Sequence, residues 1–293
     1  MNVGEFPCGV NSWLSDDMGL PTIHLLLLAL AQGVLSPISA SLGPSAPLDQ
    51  GFRRMYNLEF SDAHKTFQTY IKGHPEDPFG PTSDGAAYLF DEFNRLGVLQ
   101  TELFVDDEKF KGRDKPAPNP TVRAEFNGAI AQSQKLADAT LQRSPKDRNA
   151  LLATVLNLGL ESDYLAMVEK RNVAALAYTK RAGIAAEKLL AVDPTCYDAY
   201  LAIGVENYIL GLKPAPVRWL LQLYGAETDK EMGIRKLQLT ATKGHFLLPF
   251  ARLLLAVAAL RDKNRDQAKE LLQNLVQEFP KNQLYRRELS RLQ

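Results

Sequence analysis

Asp266 to Pro280 reads DQAKELLQNLVQEFP, and its spacing decides the fold. Ala268, Leu271, Leu272, Leu275, Val276 and Phe279 recur at i, i+3, i+4, i+7, i+8 and i+11. That is one apolar stripe along a helix, with Lys269, Glu270, Gln273 and Asn274 on the wet side. A helix of this kind must bury its stripe against another. In a helical hairpin a small residue sits where the two helices cross, a bulky one fills the groove a turn later, and proline ends the second helix. Counting back from prolines finds that spacing four times: Ala63, Phe67 and Pro75; Ser133, Ala137 and Pro145; Ala182, Ala186 and Pro194; Ala268, Leu272 and Pro280.

Working outward, no segment joins sustained two-residue alternation to a hairpin dipeptide, so no strand is expected. Asp106 to Pro120 (DDEKFKGRDKPAPNP) has the charge and proline content of a linker. It divides a first helical block, 48–105, from a second, 121–293, and residues 41–47 form a flexible lead-in. Lys213-Pro214-Ala215-Pro216 ends one helix and starts another. Leu247 to Leu260 is apolar but short and holds Pro249 and Arg252, which suits a helix buried between neighbours better than a membrane span.

The four spaced sets resemble the second-helix half of a tetratricopeptide repeat. After Pro194, Tyr200, Ile203, Gly204 and Tyr208 fall close to its first-helix positions, and Gly51 fills the first-helix glycine position ahead of Pro75. The resemblance is to divergent, mostly bacterial exported repeat proteins. It implies an all-α fold: a right-handed superhelical stack of helix–turn–helix hairpins that binds a protein or peptide partner. Departures are plain. The prolines are separated by 70, 49 and 86 residues, so the units do not form an unbroken array. A fainter likeness runs through RWLLQLYGAETDKEMG, Arg218 to Gly233, to a eukaryotic repeat family associated with the mitochondrial outer membrane and clearance of protein inclusions.

Leu25 to Leu30 (LLLLAL), then Pro37 and the small Ala40, resemble a secretory signal peptide over residues 1–40, with Met18 a candidate initiator. No Lys or Arg precedes the apolar core, a departure from the usual pattern. The expected location is the periplasm or envelope of a bacterium, with no transmembrane span once the signal is removed. Basic and acidic residues balance at 34 each. Loss of Glu5, Asp16 and Asp17 with the signal leaves 34 against 31, a net charge of +3, too little to draw nucleic acid. Removal of Cys8 leaves Cys196 alone, so no internal disulfide can form.

No HExxH, CxxC, phosphate loop or nucleophile elbow occurs, so no cofactor or metal is expected. Cys196 stands in a helix's first turn, where a lowered pKa competes with burial as an inert thiol, and burial is the expectation. Asp91 and Glu92, and Glu161 and Asp163, are paired acids whose helical spacing points the members apart. They are expected on a solvated face or in ion pairs with Arg95 or Lys170. The favoured partner-binding residues are Tyr197, Asn207, Arg218 and Trp219, in an aromatic and amide-rich stretch running to Tyr224. Gly51, Ala63, Phe67, Pro75, Ala182, Ala186, Pro194, Tyr200, Gly204, Ala268, Leu272 and Pro280 are assigned to repeat packing. These readings point to a non-catalytic scaffold. Two alternatives stay open: an enzyme with a carboxylate site between helical blocks, and a carrier of an apolar ligand.

Overall fold

The computed structural model describes residues 47–98, 117–212 and 229–293. The signal segment, most of the lead-in and linker, and Arg218, Trp219 and Tyr224 lie outside them. All regular structure among the described residues is helical. The described α-helices, labelled in order, are α1 (Pro47–Tyr56), α2 (Phe60–Gly73), α3 (Phe79–Leu96), α4 (Pro120–Arg143), α5 (Arg148–Asp163) and α6 (Asn172–Val192), followed by α7 (Tyr200–Gly211), α8 (Lys230–Lys243), α9 (Leu248–Arg261), α10 (Arg265–Glu278) and α11 (Gln283–Ser290). Each packs on the next, from α1 on α2 through to α10 on α11, and α3 also touches α5. The result is an all-α stack of antiparallel hairpins.

Two kinds of turn alternate along it. Between first and second helices the chain reverses through a left-handed residue: Leu58 at φ 63°, Lys170 at 58° and Lys263 at 60°, with Gly97 at 65° after α3. At three of them the next amide reaches back five residues, Glu59 to Arg54, Val98 to Phe93 and Asn264 to Ala259, capping carbonyls that the helix leaves open. Between hairpins the turn carries proline in its second position. The amides of Asp77, Asp147, Cys196 and Asn282 donate to the carbonyls of His74, Ser144, Asp193 and Phe279, around Pro75, Pro145, Pro194 and Pro280. Three of those turns end on a residue that then caps the next helix. Asp77, Asp147 and Asn282 accept from the amides of Phe79, Ala150 and Leu284 at 2.9 Å each. One four-residue turn thus closes one hairpin and opens the next.

The crossings are as tight as the turns require. A Cβ on Gly51 of α1 would stand 2.6 Å from Cδ1 and 2.7 Å from Cζ of Phe67, a side chain with no exposed surface. Gly204 of α7 meets the backbone of α8, where its Cβ would come within 3.1 Å of the Gly233 carbonyl. Ala63, Ala186, Ala268 and Leu272 have no exposed surface, and Ala182 is buried with them. Pro75, Pro194 and Pro280 are exposed in their turns. Ser133 fills its crossing with a hydroxyl, which lies 2.7 Å from Thr82 Oγ1 and accepts from Asn157 Nδ2 at 2.8 Å. Three helices are pinned there by a buried and mutually satisfied polar triad.

One apolar core runs from Phe52 and Met55 through Phe126 and Leu189 to Leu275 and Tyr285. It crosses the break at 106–120, so helices on the two sides of that break share one interior. Asn119 caps α4 through the Thr121 amide and Pro120 is already its first residue, so the helix begins inside the stretch read as linker. Arg148–Val168 is long and apolar enough to cross a bilayer by length and composition, and 56% of its apolar window is buried within the fold.

The ends of the stack meet. The Tyr56 hydroxyl donates to the Phe246 carbonyl at 2.9 Å, Asn282 Nδ2 donates to the Tyr56 carbonyl at 2.8 Å, and the Lys281 amide donates to Asn57 Oδ1 at 3.1 Å. Rings from both ends pack together, with Phe52 and Phe246 at 4.7 Å and Phe90 and Phe250 at 5.3 Å between centroids. Burial drives the Tyr56 hydroxyl's pKa well above the ordinary tyrosine value. Asp198, also buried, accepts from the amides of His245, Phe246 and Leu247 at 2.9–3.1 Å and so orders the turn that leads into α9.

Candidate functional site

The helical phase of α5 separates its side chains into three directions. Asn157 and Glu161 face α3 and α4, where Asn157 bonds Thr82 and Ser133 and Glu161 lies 3.8 Å from Arg123. Ser162 faces α6, bonding the Ala175 carbonyl at 3.0 Å and lying 2.7 Å from Thr179 Oγ1. What remains is a stripe of Leu156, Gly159, Leu160 and Asp163, at i, i+3, i+4 and i+7, with Met167 four residues on. All five are half-buried. A Cβ placed on Gly159 meets nothing within 4 Å among the described residues. This side of α5, its free side, is apolar and stays half-exposed, although Leu156, Leu160 and Met167 also pack in part against the main core.

A single π-turn, Tyr164–Val168, follows α5, and such turns often mark functional positions. It brings Tyr164 under Arg123, whose guanidinium carbon lies 4.0 Å from the ring centroid. Arg123 Nε also pairs with Glu169 at 3.3 Å. Glu161 is pushed up from its usual value by burial, against the pull of Arg123. Asp163 is pushed up to about 7 by burial alone. Two residues apart on one helix, these carboxylates point in different directions and do not form a catalytic pair.

Glu92 is buried and held by Arg95 in a two-point pair at 2.6 and 2.7 Å. Its Oε1 also accepts the Asn119 amide at 2.8 Å, so the pair anchors the chain where it enters α4. Asp91 is raised by burial, partly offset by His64. Of the four paired acids, Glu92 has Arg95 as expected and Glu161 has Arg123 in place of Lys170. Asp163 is half-exposed and has no ion pair among the described residues. Asp84, not singled out in the sequence, is buried and holds His64 Nδ1 and Gln68 Nε2 at 2.6 Å each.

The predicted binding residues are not brought together as expected. Asn207 is 1% exposed, and its Nδ2 donates to the Ile203 carbonyl at 3.1 Å. The reason is helical phase. Ile203, Gly204, Asn207 and Leu210 are the buried residues of α7, so Asn207 lies on the helix's buried side and not in an open groove. Tyr197 and Tyr200 are half-buried and stack at 6.1 Å, but their faces are already taken: Lys243 Nζ lies 5.1 Å from one ring and Lys236 Nζ 5.0 Å from the other. Arg218 and Trp219 lie outside the described residues. Cys196 is buried and its thiol is pushed up by burial, opposite to an activated nucleophile.

An open cleft of about 250 Å³ lies at the meeting of the two ends, lined by Arg53, Arg54, Asn57, Glu59 and Lys281, away from the raised carboxyls. Among the described residues no group of three or more His, Cys, Asp or Glu could hold a metal ion.

The turns, crossings and spacing repeat along the chain with one logic. The fold is that of divergent tetratricopeptide-like hairpins. No family model matches the sequence, and no curated protein matches it. Among solved structures it is similar to a thermophilic tetratricopeptide-repeat protein of Thermus thermophilus. The likeness covers 84% of this chain and 96% of that one, at 15% identity and a TM-score of 0.45.

Proposed function

We propose that this tetratricopeptide-like chain is a non-catalytic scaffold that holds a segment of another protein against the free side of α5. The observation that carries the reading is the stripe of Leu156, Gly159, Leu160, Asp163 and Met167, half-buried and mostly apolar, with nothing among the described residues within 4 Å of a Cβ on Gly159. Apolar side chains left part-exposed on a rigid helix are a ready surface for a partner's anchors. The helix beneath is held by the Thr82–Ser133–Asn157 triad on one side and the Ser162–Thr179 contact on the other. Such a surface is pre-organised, and binding to it costs little ordering of the scaffold.

A photo-crosslinking amino acid in place of Leu160 tests this, with a second in place of Ile184 on α6 as the reference. After affinity capture from the native source, the partner is expected to attach through position 160 and not through 184. Attachment through 184 alone would sink the reading.

The location belongs to the same proposal. The apolar run from Leu25 to Leu30, with Pro37 and Ala40 after it, supports export to a bacterial periplasm or envelope. N-terminal sequencing of the native protein is expected to begin near Ser41. A mature chain that still contains Leu25 to Leu30 would contradict export.

A further inference from the structure

Nearly every other buried or half-buried acid of this stack has a partner. Glu92 has Arg95, Asp84 has His64 and Gln68, Glu278 has Arg252, and Asp193 has Arg148 and Thr195. Asp163 differs. Among the described residues nothing donates a hydrogen bond to its carboxylate and no cation pairs with it; loss of water is the sole influence on its titration. It stands among Leu156, Leu160 and Met167 on the free side of α5, a turn beyond the bare backbone of Gly159.

A half-buried carboxylate set among apolar side chains without a partner loses part of its water at a cost, and the fold gains nothing visible from it. Its cost turns into selectivity when a ligand brings a cation. A charged N–H donor gains a short, strong hydrogen bond in a place where water competes poorly. An anionic ligand meets repulsion there, and a purely apolar one leaves the carboxylate dry and unpaired. The absent side chain at Gly159 leaves a path for a long, flexible side chain to reach the acid from outside. Lysine and arginine have that length, and apolar stems that can lie along Leu156 and Leu160.

We infer that Asp163 is the point at which this scaffold recognises a basic side chain, so that the partner segment carries a lysine or arginine flanked by apolar residues. The inference rests on the binding reading above and deepens it.

The test uses the full chain labelled with 13C at aspartate side-chain carboxyls, at pH 8, where Asp163 is ionised. Hexylammonium chloride is the probe, with hexan-1-ol and sodium hexanoate as comparators. Hexylammonium is expected to move the Asp163 resonance selectively, with an apparent affinity at least tenfold above that of hexanol, and hexanoate is expected not to bind. Asp163→Asn should abolish the hexylammonium response while its circular dichroism stays that of the parent, and Asp163→Glu should restore part of it. Equal binding of hexanol and hexylammonium, or undiminished binding by folded Asp163→Asn, would show apolar contact alone and overturn the inference. No response to any probe would overturn it too. The scaffold reading is judged separately: a partner that cross-links through position 160 yet is captured equally by Asp163→Asn leaves that reading standing and removes this one.

Discussion

Two glycines on helices make opposite predictions from the same substitution. Gly51 lies in α1 where it crosses α2, and a Cβ there would meet Phe67 ring atoms at 2.6 and 2.7 Å. Ordinary carbon contacts lie at about 3.5–4 Å, so the overlap is about 1 Å. The ring cannot swing clear: Phe67 has no exposed surface and packs edge-on against Phe52 at 5.5 Å. Gly51→Ala must therefore push α1 outward. Alanine gains about 1 kcal/mol of helix propensity, but overpacking with a backbone shift costs about 1–3 kcal/mol and strains a crossing that already buries two aromatic rings. An overlap of about 1 Å puts the cost in the upper part of that range, about 2–3 kcal/mol, so the net expectation is a loss of about 1–2 kcal/mol. Gly128, in the middle of α4, is exposed, and a Cβ there meets nothing within 4 Å among the described residues. Gly128→Ala gains propensity with no opposing clash, about 0.8–1 kcal/mol. In a chain of this size each kilocalorie moves the melting temperature by about 2–4 °C. Calorimetry or thermal circular dichroism of the two variants should therefore show shifts of opposite sign. A Gly51→Ala protein as stable as its parent would mean that the first hairpin does not cross where the small-residue spacing puts it.

Asp163→Asn should change the pH dependence of stability. The folded carboxyl titrates at about 7 against 3.8 when unfolded, so its favourable contribution is complete below about pH 4 and is lost as pH rises through 7. At about 1.4 kcal/mol per unit the upper figure is about 4 kcal/mol, which water at a half-buried site reduces. Denaturant melts should find the variant more stable than the parent at pH 8 and equal to it near pH 4; a constant difference would refute the assignment. Asn282→Ala removes a cap on α11 and the donor to the Tyr56 carbonyl, at a cost of about 2–3 kcal/mol. Hydrogen exchange should quicken in α1 and α2 as well as α11, and a response confined to α11 would deny the meeting of the two ends. Lys263→Gly, at an exposed left-handed position, should stabilise by about 1 kcal/mol in the same melts, and a loss of stability would show the lysine side chain to matter there.

The hairpins were legible because their signals are local. A small residue, a bulky one four later and a proline eight beyond that fix a crossing and a turn within one stretch of chain. The left-handed turns escaped notice because Leu58, Lys170 and Lys263 are not glycines, and nothing in their identity announces positive φ. The meeting of the ends escaped for a different reason. Asn57 and Asn282 look like ordinary turn residues, and their use depends on partners more than 220 positions away. Asn207 could have been placed correctly. It stands four residues after Ile203 and three before Leu210, on the buried stripe, and that phase outweighs the binding capacity of its amide. Asp163 lay beyond sequence reasoning, since an acid one turn past a glycine on an apolar helix reads equally as solvated or paired.

The central claim is that the free side of α5 holds the partner, and Gly159→Trp tests it most directly. A Cβ there meets nothing within 4 Å among the described residues, so the substitution starts without a clash and the indole is expected to cover the stripe. Helix propensity also improves slightly over glycine. The measurement is the affinity of the captured partner for the parent and the variant, each shown folded by its thermal melt. The account predicts a melting temperature at or above the parent's and binding weakened at least tenfold. Undiminished affinity in a folded Gly159→Trp protein would contradict it, and would place the binding surface elsewhere on the stack.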